Sequence, residues 1–309
     1  MRILLGAVLS LLLVSCATGP GVKKGPSPYS ASWEGKTTTP VNAKACTVNN
    51  EYLKMDWKSL VTQAGQCVRA KNFFQVERVA NQLAKIEPES HWGAYYLSVA
   101  AEYNKDLPRA FWMINLALKK APEDGIALFQ RGRLYWNSDQ KDLALEDLKE
   151  AVKRNPSISE AHLLLAQVYF TLDETKKSKF HFEQVLSRNA QNPFALFGMG
   201  ELHFKDKNYE DAYSFHKRAL AADPRLAISY LRLAQVQELH QKDYVASLET
   251  YKDLQRRVSL NRVDGSLPID VSEKVRSLSL LVKQSVAKVK NEEEKAVSQR
   301  EPTGKKVSK

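Results

Sequence analysis

Prolines divide the middle of the chain at a fixed interval. Pro88, Pro122 and Pro156 follow one another at steps of 34 residues, and Pro224 lies 68 residues beyond Pro156. The intermediate position, 34 residues after Pro156, is occupied by Ala190 instead of proline. A period of about 20–50 residues is the sequence signature of stacked repeats, in which each unit packs mainly against its neighbours. The interval therefore predicts an extended array of similar units rather than one closed core.

Small residues keep the same phase as the prolines. One recurs in the first half of each unit, at Ser98, Gly132, Ala166, Gly200 and Ala234. Another opens the second half, at Ala110, Ala144, Ser178 and Ala212. Within each half, apolar residues have helical spacing, as in Leu145, Leu148 and Val152. Each unit is therefore predicted to hold two helices, which approach closely at the small residues and end at the proline.

This pattern resembles the tetratricopeptide repeat (TPR), a helix–turn–helix unit of 34 residues. With position one at Gly125, the family's aromatic residue at position eleven is Tyr135, and one repeat later Tyr169. Three units depart from it, at Ala101, His203 and Gln237. The resemblance covers residues 57–260 and implies an all-α fold, a right-handed superhelical solenoid of about six repeats. The sixth repeat fits with one extra residue in its inner turn.

Segments on either side of the repeats complete the predicted solenoid. Residues 48–56 form a lead-in. Beyond the repeats, apolar residues continue with helical spacing at Val271, Val275, Leu278, Leu281, Val282, Val286 and Val289. Because a solenoid needs a terminal element over its last core face, we predict a capping helix over 266–291. Residues 292–309 are charged and poor in apolar side chains, which predicts a frayed tail.

The N-terminus reads as an export signal. Arg2 precedes a largely apolar run from Ile3 to Val14, which is too short to span a membrane. The sequence Leu-Val-Ser-Cys that ends at Cys16 resembles the lipobox of bacterial lipoproteins. The resemblance implies a signal peptide over 1–15 and acylation of Cys16. Ala17 then implies sorting to the outer membrane, where the lipid-anchored chain would face the periplasm.

Residues 16–47 follow as a tether. Gly, Pro, Ser and Thr dominate this stretch, which has no sustained apolar period and so cannot build a core. Two cysteines remain after Cys16. Cys46 and Cys67 either form a disulfide, which the oxidising periplasm permits, or Cys67 is a buried small apolar residue at position eleven of the first repeat.

Charge and motifs argue against nucleic-acid binding and catalysis. The net charge is +11, but residues 50–254 carry 28 Lys and Arg against 27 Asp and Glu, so the excess lies at the two ends. A basic groove through the repeats is therefore not expected. The chain has no HExxH, GxSxG or glycine-rich phosphate loop, and its six histidines do not repeat on one face. We predict no catalytic residue, no cofactor and no metal site.

The resemblance also implies a binding surface. In this family, the first helix of each repeat lines the concave face, and the corresponding residues here are aromatic with a few polar ones. The predicted groove residues are Trp92, Tyr95, Tyr103, Phe129, Arg133, Trp136, Gln167, Phe170, Phe197, Glu201 and Phe204. Such a surface suits an extended peptide or an amphipathic helix of a protein partner. The alternative is that some rings, above all Phe129 and Phe197, are core between repeats.

Together these features predict a non-catalytic scaffold at the outer membrane. Six repeats behind a lipid anchor resemble the pilotin-like TPR lipoproteins of type IV pilus and secretin assembly. The alternative is binding to peptidoglycan or to an anionic lipid or glycan through the basic C-terminal region. That region contains Arg256, Arg257, Arg262, Lys274, Arg276, Lys283, Lys288 and Lys290.

Overall fold

The computed structural model describes Cys46, residues 50–263 and residues 267–298. The predicted signal peptide, Cys16, the tether before Cys46 and the end of the tail lie outside the described residues and stay predictions. The described part forms thirteen α-helices, preceded by a short 3-10 helix at Glu51–Lys54.

Twelve of these helices pair into six helical hairpins, and the thirteenth follows them. They are α1 (Trp57–Arg69), α2 (Phe73–Ile86), α3 (Trp92–Tyr103), α4 (Leu107–Lys120), α5 (Gly125–Asn137), α6 (Lys141–Arg154), α7 (Ser159–Thr171), α8 (Thr175–Arg188), α9 (Pro193–Lys205), α10 (Tyr209–Ala222), α11 (Ala227–Leu239), α12 (Tyr244–Ser259) and α13 (Val271–Ser298). The predicted all-α solenoid of helix–turn–helix repeats is confirmed.

Short polar side chains begin many of these helices. The Asp124 carboxylate accepts from the Ala127 backbone N–H at 2.7 Å, and Asn192 does the same for Ala195 at 3.0 Å. Asp56, Asn72, Asp106, Asn208 and Asp243 cap their helices in the same way. Each cap satisfies a backbone donor that the first helical turn leaves unpaired.

The small residues that mark the repeat lie where paired helices touch. The Ser178 hydroxyl donates to the Ala166 carbonyl at 2.7 Å, and the Ser247 hydroxyl to the Ala234 carbonyl at 2.9 Å. At Gly132, an added Cβ would lie only 2.9 Å from Leu148 Cγ. The close approach of the helices thus explains why small residues recur every 34 positions.

The first helices of the repeats lie on the inner side of the array. Consecutive first helices, α3 with α5 and α7 with α9, contact one another more closely than consecutive second helices do. The second helices therefore form the outer side. This arrangement separates two surfaces along the solenoid.

The turn inside each hairpin holds a non-glycine residue in the left-handed region. Its φ is 57° at Lys71, 62° at Lys105, 59° at Asp139, 64° at Asp173 and 60° at Lys207. These residues are 34 apart, and the next is Lys242, 35 residues on. The extra residue predicted in the inner turn of the sixth repeat is therefore present.

Replacing Lys207 with glycine should stabilise the protein by about 0.5–1 kcal/mol, because glycine adopts a positive φ without steric cost. Chemical denaturation of the variant measures the gain. Lys149→Gly, in the exposed middle of α6, should instead destabilise by about 1 kcal/mol. A loss of stability at both sites would contradict the assignment of Lys207 to a strained turn.

The capping helix begins later and ends later than predicted. α13 starts at Val271 rather than 266, because the Asp270 carboxylate accepts from the backbone N–H groups of Ser272 and Glu273 at 2.8 and 3.2 Å. Val271 and Leu278 pack in the core of the last repeat. The helix continues through the charged residues to Ser298, beyond the predicted end at 291.

Among the described helices, none combines the length and apolar content needed to cross a membrane.

A disulfide joins Cys46, at the end of the tether, to the first repeat. The Cα atoms of Cys46 and Cys67 are 5.0 Å apart, their sulfurs are bonded, and both residues are buried. The Asn72 side-chain amide donates to the Cys46 carbonyl at 3.0 Å.

A thiol titration tests this bond. The unreduced, denatured chain with Cys16→Ser should yield no titratable thiol, because the remaining two cysteines are joined. Two thiols per chain would mean that Cys67 is an unpaired apolar residue.

Candidate partner-binding surface

An aromatic cluster occupies the inner side of α3. The rings of Trp92 and Tyr95 meet edge to face at 5.6 Å, and Trp92 stacks on Tyr96 at 6.0 Å. Tyr96 is buried and donates its hydroxyl to the Val61 carbonyl at 3.0 Å. Burial raises the pKa of Tyr96 to about 12 and raises that of Tyr95 further. Trp92 and Tyr95 remain partly exposed, so they are available to a ligand as neutral aromatic surface.

Three predicted groove residues lie in the interior instead. Phe129, Phe197 and Gln167 are only 8%, 4% and 5% exposed. Phe129 packs in the core between the second, third and fourth repeats, and Phe197 in that between the fifth and sixth. For these residues the groove prediction is wrong, and for the two rings the alternative of inter-repeat core holds.

Tyr103 is also away from the inner surface. Its ring stacks on Phe73 at 3.8 Å, at the start of α2 and the end of α3. It is exposed, but at the turn edge of the solenoid. It therefore does not line a groove with Trp92.

A polar network closes around Glu102 in the centre of the surface. The Arg133 guanidinium donates to Glu102 and to Gln130, and Gln130 in turn donates to Glu102 at 2.8 Å. The Asn137 amide donates to the other carboxylate oxygen at 2.9 Å. Arg133 is thus committed to a neighbouring repeat, which argues against its use as a clamp for a C-terminal carboxylate.

A second network lies further along the solenoid, around Glu201 on α9. Arg232 donates to both carboxylate oxygens of Glu201 at 2.7 and 2.9 Å, and its guanidinium lies 4.4 Å from the ring centre of Phe204. Behind it, Nε2 of the fully buried His216 is 3.4 Å from Glu201. Because Arg232 covers Phe204, the face of that ring is already occupied by a cation.

Phe170 is covered in a similar way. The Lys205 ammonium lies 5.1 Å from its ring centre and pairs with Asp173. Trp136, in contrast, packs against the core and remains partly exposed. Among the described residues, Trp92, Tyr95 and Trp136 are therefore partly exposed without a side-chain cation over the ring, while the partly exposed Phe170 and Phe204 lie under side-chain cations.

Sequence reasoning missed the residues that cover these rings, Lys205 and Arg232, and the partner of Arg133. A signal for them exists. Glu102 and Arg133 are 31 residues apart, as are Glu201 and Arg232. Opposite charges at an interval slightly shorter than the repeat lie side by side on adjacent first helices.

The basic C-terminal region is partly neutralised. Asp253 accepts hydrogen bonds from Arg256 and Arg257, and Lys274 pairs with Glu238 at 2.7 Å. Lys283, Lys288 and Lys290 are exposed on α13. Within the part of the chain that the structure describes, no group of three or more His, Cys, Asp or Glu is placed to hold a metal ion.

Residues 129–177 match the family model of the tetratricopeptide repeat. A curated TPR repeat-containing protein of Methanocaldococcus jannaschii, MJ1428, is 23% identical over 68% of this chain and 44% of its own length. The type IV pilus assembly protein PilF of Pseudomonas aeruginosa is 32% identical over 29% of this chain and 32% of its own length. The chain thus spans less than half the length of these curated relatives. The comparisons indicate no catalytic family.

The solved structure of Pseudomonas aeruginosa PilF has the same architecture. It superposes with a TM-score of 0.58 at 18% identity, over 65% of this chain and 90% of that one. At this identity the likeness concerns the fold. Together with the helical hairpins and the matched repeat, it identifies the fold as a tetratricopeptide-repeat solenoid.

Proposed function

We propose that this protein is a non-catalytic scaffold that captures a protein partner on its inner surface. The observation that carries the proposal is the partly exposed aromatic strip of Trp92, Tyr95 and Trp136 on the first helices. Rigid aromatic side chains flanked by fixed polar groups are typical anchors for a peptide. The TPR fold is itself one that binds proteins.

The charge pairing on this surface favours a particular kind of partner. Arg133 and Arg232 are already paired with Glu102 and Glu201. An apolar or aromatic segment fits this strip better than an acidic one. An extended peptide and an amphipathic helix both meet that description.

The location of the scaffold is the second part of the proposal. The lipobox-like sequence at Cys16 supports an acylated chain held at the periplasmic face of the outer membrane. The likeness to PilF, a type IV pilus assembly protein, supports a role in assembling a pilus or secretin complex. Metabolic labelling with an alkyne fatty acid tests the anchor, since the label should enter the chain and be lost with Cys16→Ser.

Trp136→Glu should reduce partner capture by at least roughly tenfold, because a charge would replace an aromatic anchor at an interface. Co-purification from envelope extracts measures the loss, and thermal melting followed by circular dichroism should remain within a few degrees of the unchanged protein.

The matched control is Phe180→Glu, since Phe180 is an exposed ring on the outer helix α8. It should leave capture unchanged. Equal capture by the Trp136→Glu variant and the unchanged protein would contradict the inner-surface proposal. Collapse of the melt in Trp136→Glu alone would instead assign Trp136 to the core.

A further inference from the structure

The outer face of the first two repeats differs from that of the later ones. On α2, the outward positions carry Phe74, Arg78, Asn81 and Lys85, which are spaced so that they lie on one side of a helix. The same positions of α4, each 34 residues on, carry Pro108, Trp112, Asn115 and Lys119. None of these eight is acidic, and three are basic.

Later repeats do not keep this composition. The equivalent positions of α6 are Asp142, Glu146, Lys149 and Lys153, and those of α8 are Lys176, Phe180, Glu183 and Ser187. Acidic residues thus return at the third repeat. Among the first four repeats, α2 and α4 are the outer helices that combine an exposed ring and basic residues at these positions with no acidic residue.

Two large rings on this face are mainly in solvent. Trp112 is 72% exposed and Phe74 is 65% exposed. Leu116, one turn after Trp112, is also exposed. Burying such rings from water is favourable, and their exposure on a folded surface is a mark of an interaction site.

The cations beside these rings lack acidic partners. Arg78 donates to Asn50 and Gln75 and stacks its guanidinium 5.7 Å from the Phe74 ring centre, all neutral contacts. Lys85 and Lys119 are exposed and make no hydrogen bond or ion pair within the described residues. Glu77, on the same helix as Arg78, is already paired with Arg109 at 2.6 Å. The face therefore presents net positive charge.

We propose that this outer face of repeats one and two rests on an anionic lipid bilayer. Trp112 and Phe74 would enter the headgroup region, where aromatic rings are favoured, and Arg78, Lys85 and Lys119 would pair with lipid phosphates. Charge complementarity selects this occupant, because none of the eight outward positions is acidic and the nearby Glu77 is paired with Arg109. The face lies opposite the inner aromatic strip, so lipid contact leaves the groove open to a partner.

Vesicle partitioning tests the proposal on the chain from Ala17 onward, which keeps every described residue and removes the apolar N-terminus. The probes are phosphatidylcholine vesicles, with or without about 30% phosphatidylglycerol. The protein should partition onto the anionic vesicles and be released by salt. Trp112→Ser should weaken partitioning about tenfold, and the double change Lys85→Glu, Lys119→Glu should weaken it at least about thirtyfold, because two cations are lost and two repelling carboxylates are added.

Phe180→Ser is the matched control, because Phe180 occupies the same repeat position as Trp112 and is also exposed. It should partition like the unchanged chain. Equal losses in Trp112→Ser and Phe180→Ser, unaltered partitioning of Trp112→Ser, or absence of binding to anionic vesicles would each overturn the proposal. Absence of binding to anionic vesicles would instead indicate that this face binds a protein partner.

Discussion

Replacing Gly198 with alanine is expected to lower the free energy of unfolding by about 3 kcal/mol, at the upper end of the usual cost of overpacking. An added Cβ would lie 2.6 Å from Cε2 of Phe182 and closer still to two other atoms of that ring. Phe182 is fully buried between the fourth and fifth repeats, so its ring has no free space to move into. The clash reverses the gain of about 1 kcal/mol that alanine normally brings to a helix. Urea denaturation measures the change.

A double-mutant cycle isolates this contact. Phe182→Leu should destabilise on its own by opening a small cavity, but it should make Gly198→Ala much less harmful, with a coupling energy of about 2 kcal/mol. Gly65→Ala in α1 is the control. Its Cβ would meet the end of the Tyr96 side chain at 3.3 Å and that of Arg69 at 3.8 Å, so we expect little change or a small gain. Additive losses in the double variant would contradict the packing described between the repeats.

Acidification is expected to destabilise the protein by about 3 kcal/mol through His216 alone. Burial lowers the pKa of His216 from 6.5 to about 4, with the Glu201 carboxylate opposing and the Arg232 guanidinium reinforcing the shift. Between these two values the unfolded chain binds a proton that the folded chain does not. Stability is therefore fully present above pH 6.5 and is lost as the pH falls toward 4. Denaturation curves across this range measure the slope.

His216→Leu should reduce the pH dependence of the free energy of unfolding by the contribution of the one proton that His216 binds on unfolding. Leucine fits because the equivalent core position of the third repeat is Leu148. His162 and His181, whose Nδ1 atoms are 3.0 Å apart, also have lowered pKa values, and they contribute equally to both proteins. A His216→Leu protein with an unaltered pH dependence would refute the assignment to His216.

Sequence periodicity was enough to predict most of the backbone. The spacing of Pro88, Pro122 and Pro156 predicted the repeat boundaries, because proline ends a helix wherever the solenoid must turn. The small residues predicted the contacts now seen at Gly132 and Ser178. These signals are local and repeat five or six times, so one irregular unit does not obscure them.

The side-chain surface could not be predicted to the same extent. Phe129 and Trp136 are both aromatic and one to two turns apart on α5, yet one is core and the other is partly exposed. What decides between them is how the next repeat stacks, which a pattern within one repeat does not encode. The coverage of Phe204 by Arg232 also depends on two adjacent repeats. The start of α13 was missed because Asp270 was not recognised as a helix cap.

The two surfaces have different physical requirements. The inner strip around Trp92 and Trp136 offers aromatic contact among charges that are paired internally. The outer face around Trp112 offers rings among cations that lack acidic partners. A protein segment suits the first and an anionic lipid surface suits the second, and together the two proposals place a captured partner close to a membrane.

Site-specific photo-crosslinking in living cells tests the central claim of partner capture most directly. A photoreactive residue at position 136 should yield one discrete protein adduct, whose mass spectrum names the partner. The same residue at position 180, on the outer side of the fourth repeat, should yield none. Adducts from position 180 but not from position 136, or from neither, would contradict capture on the inner surface.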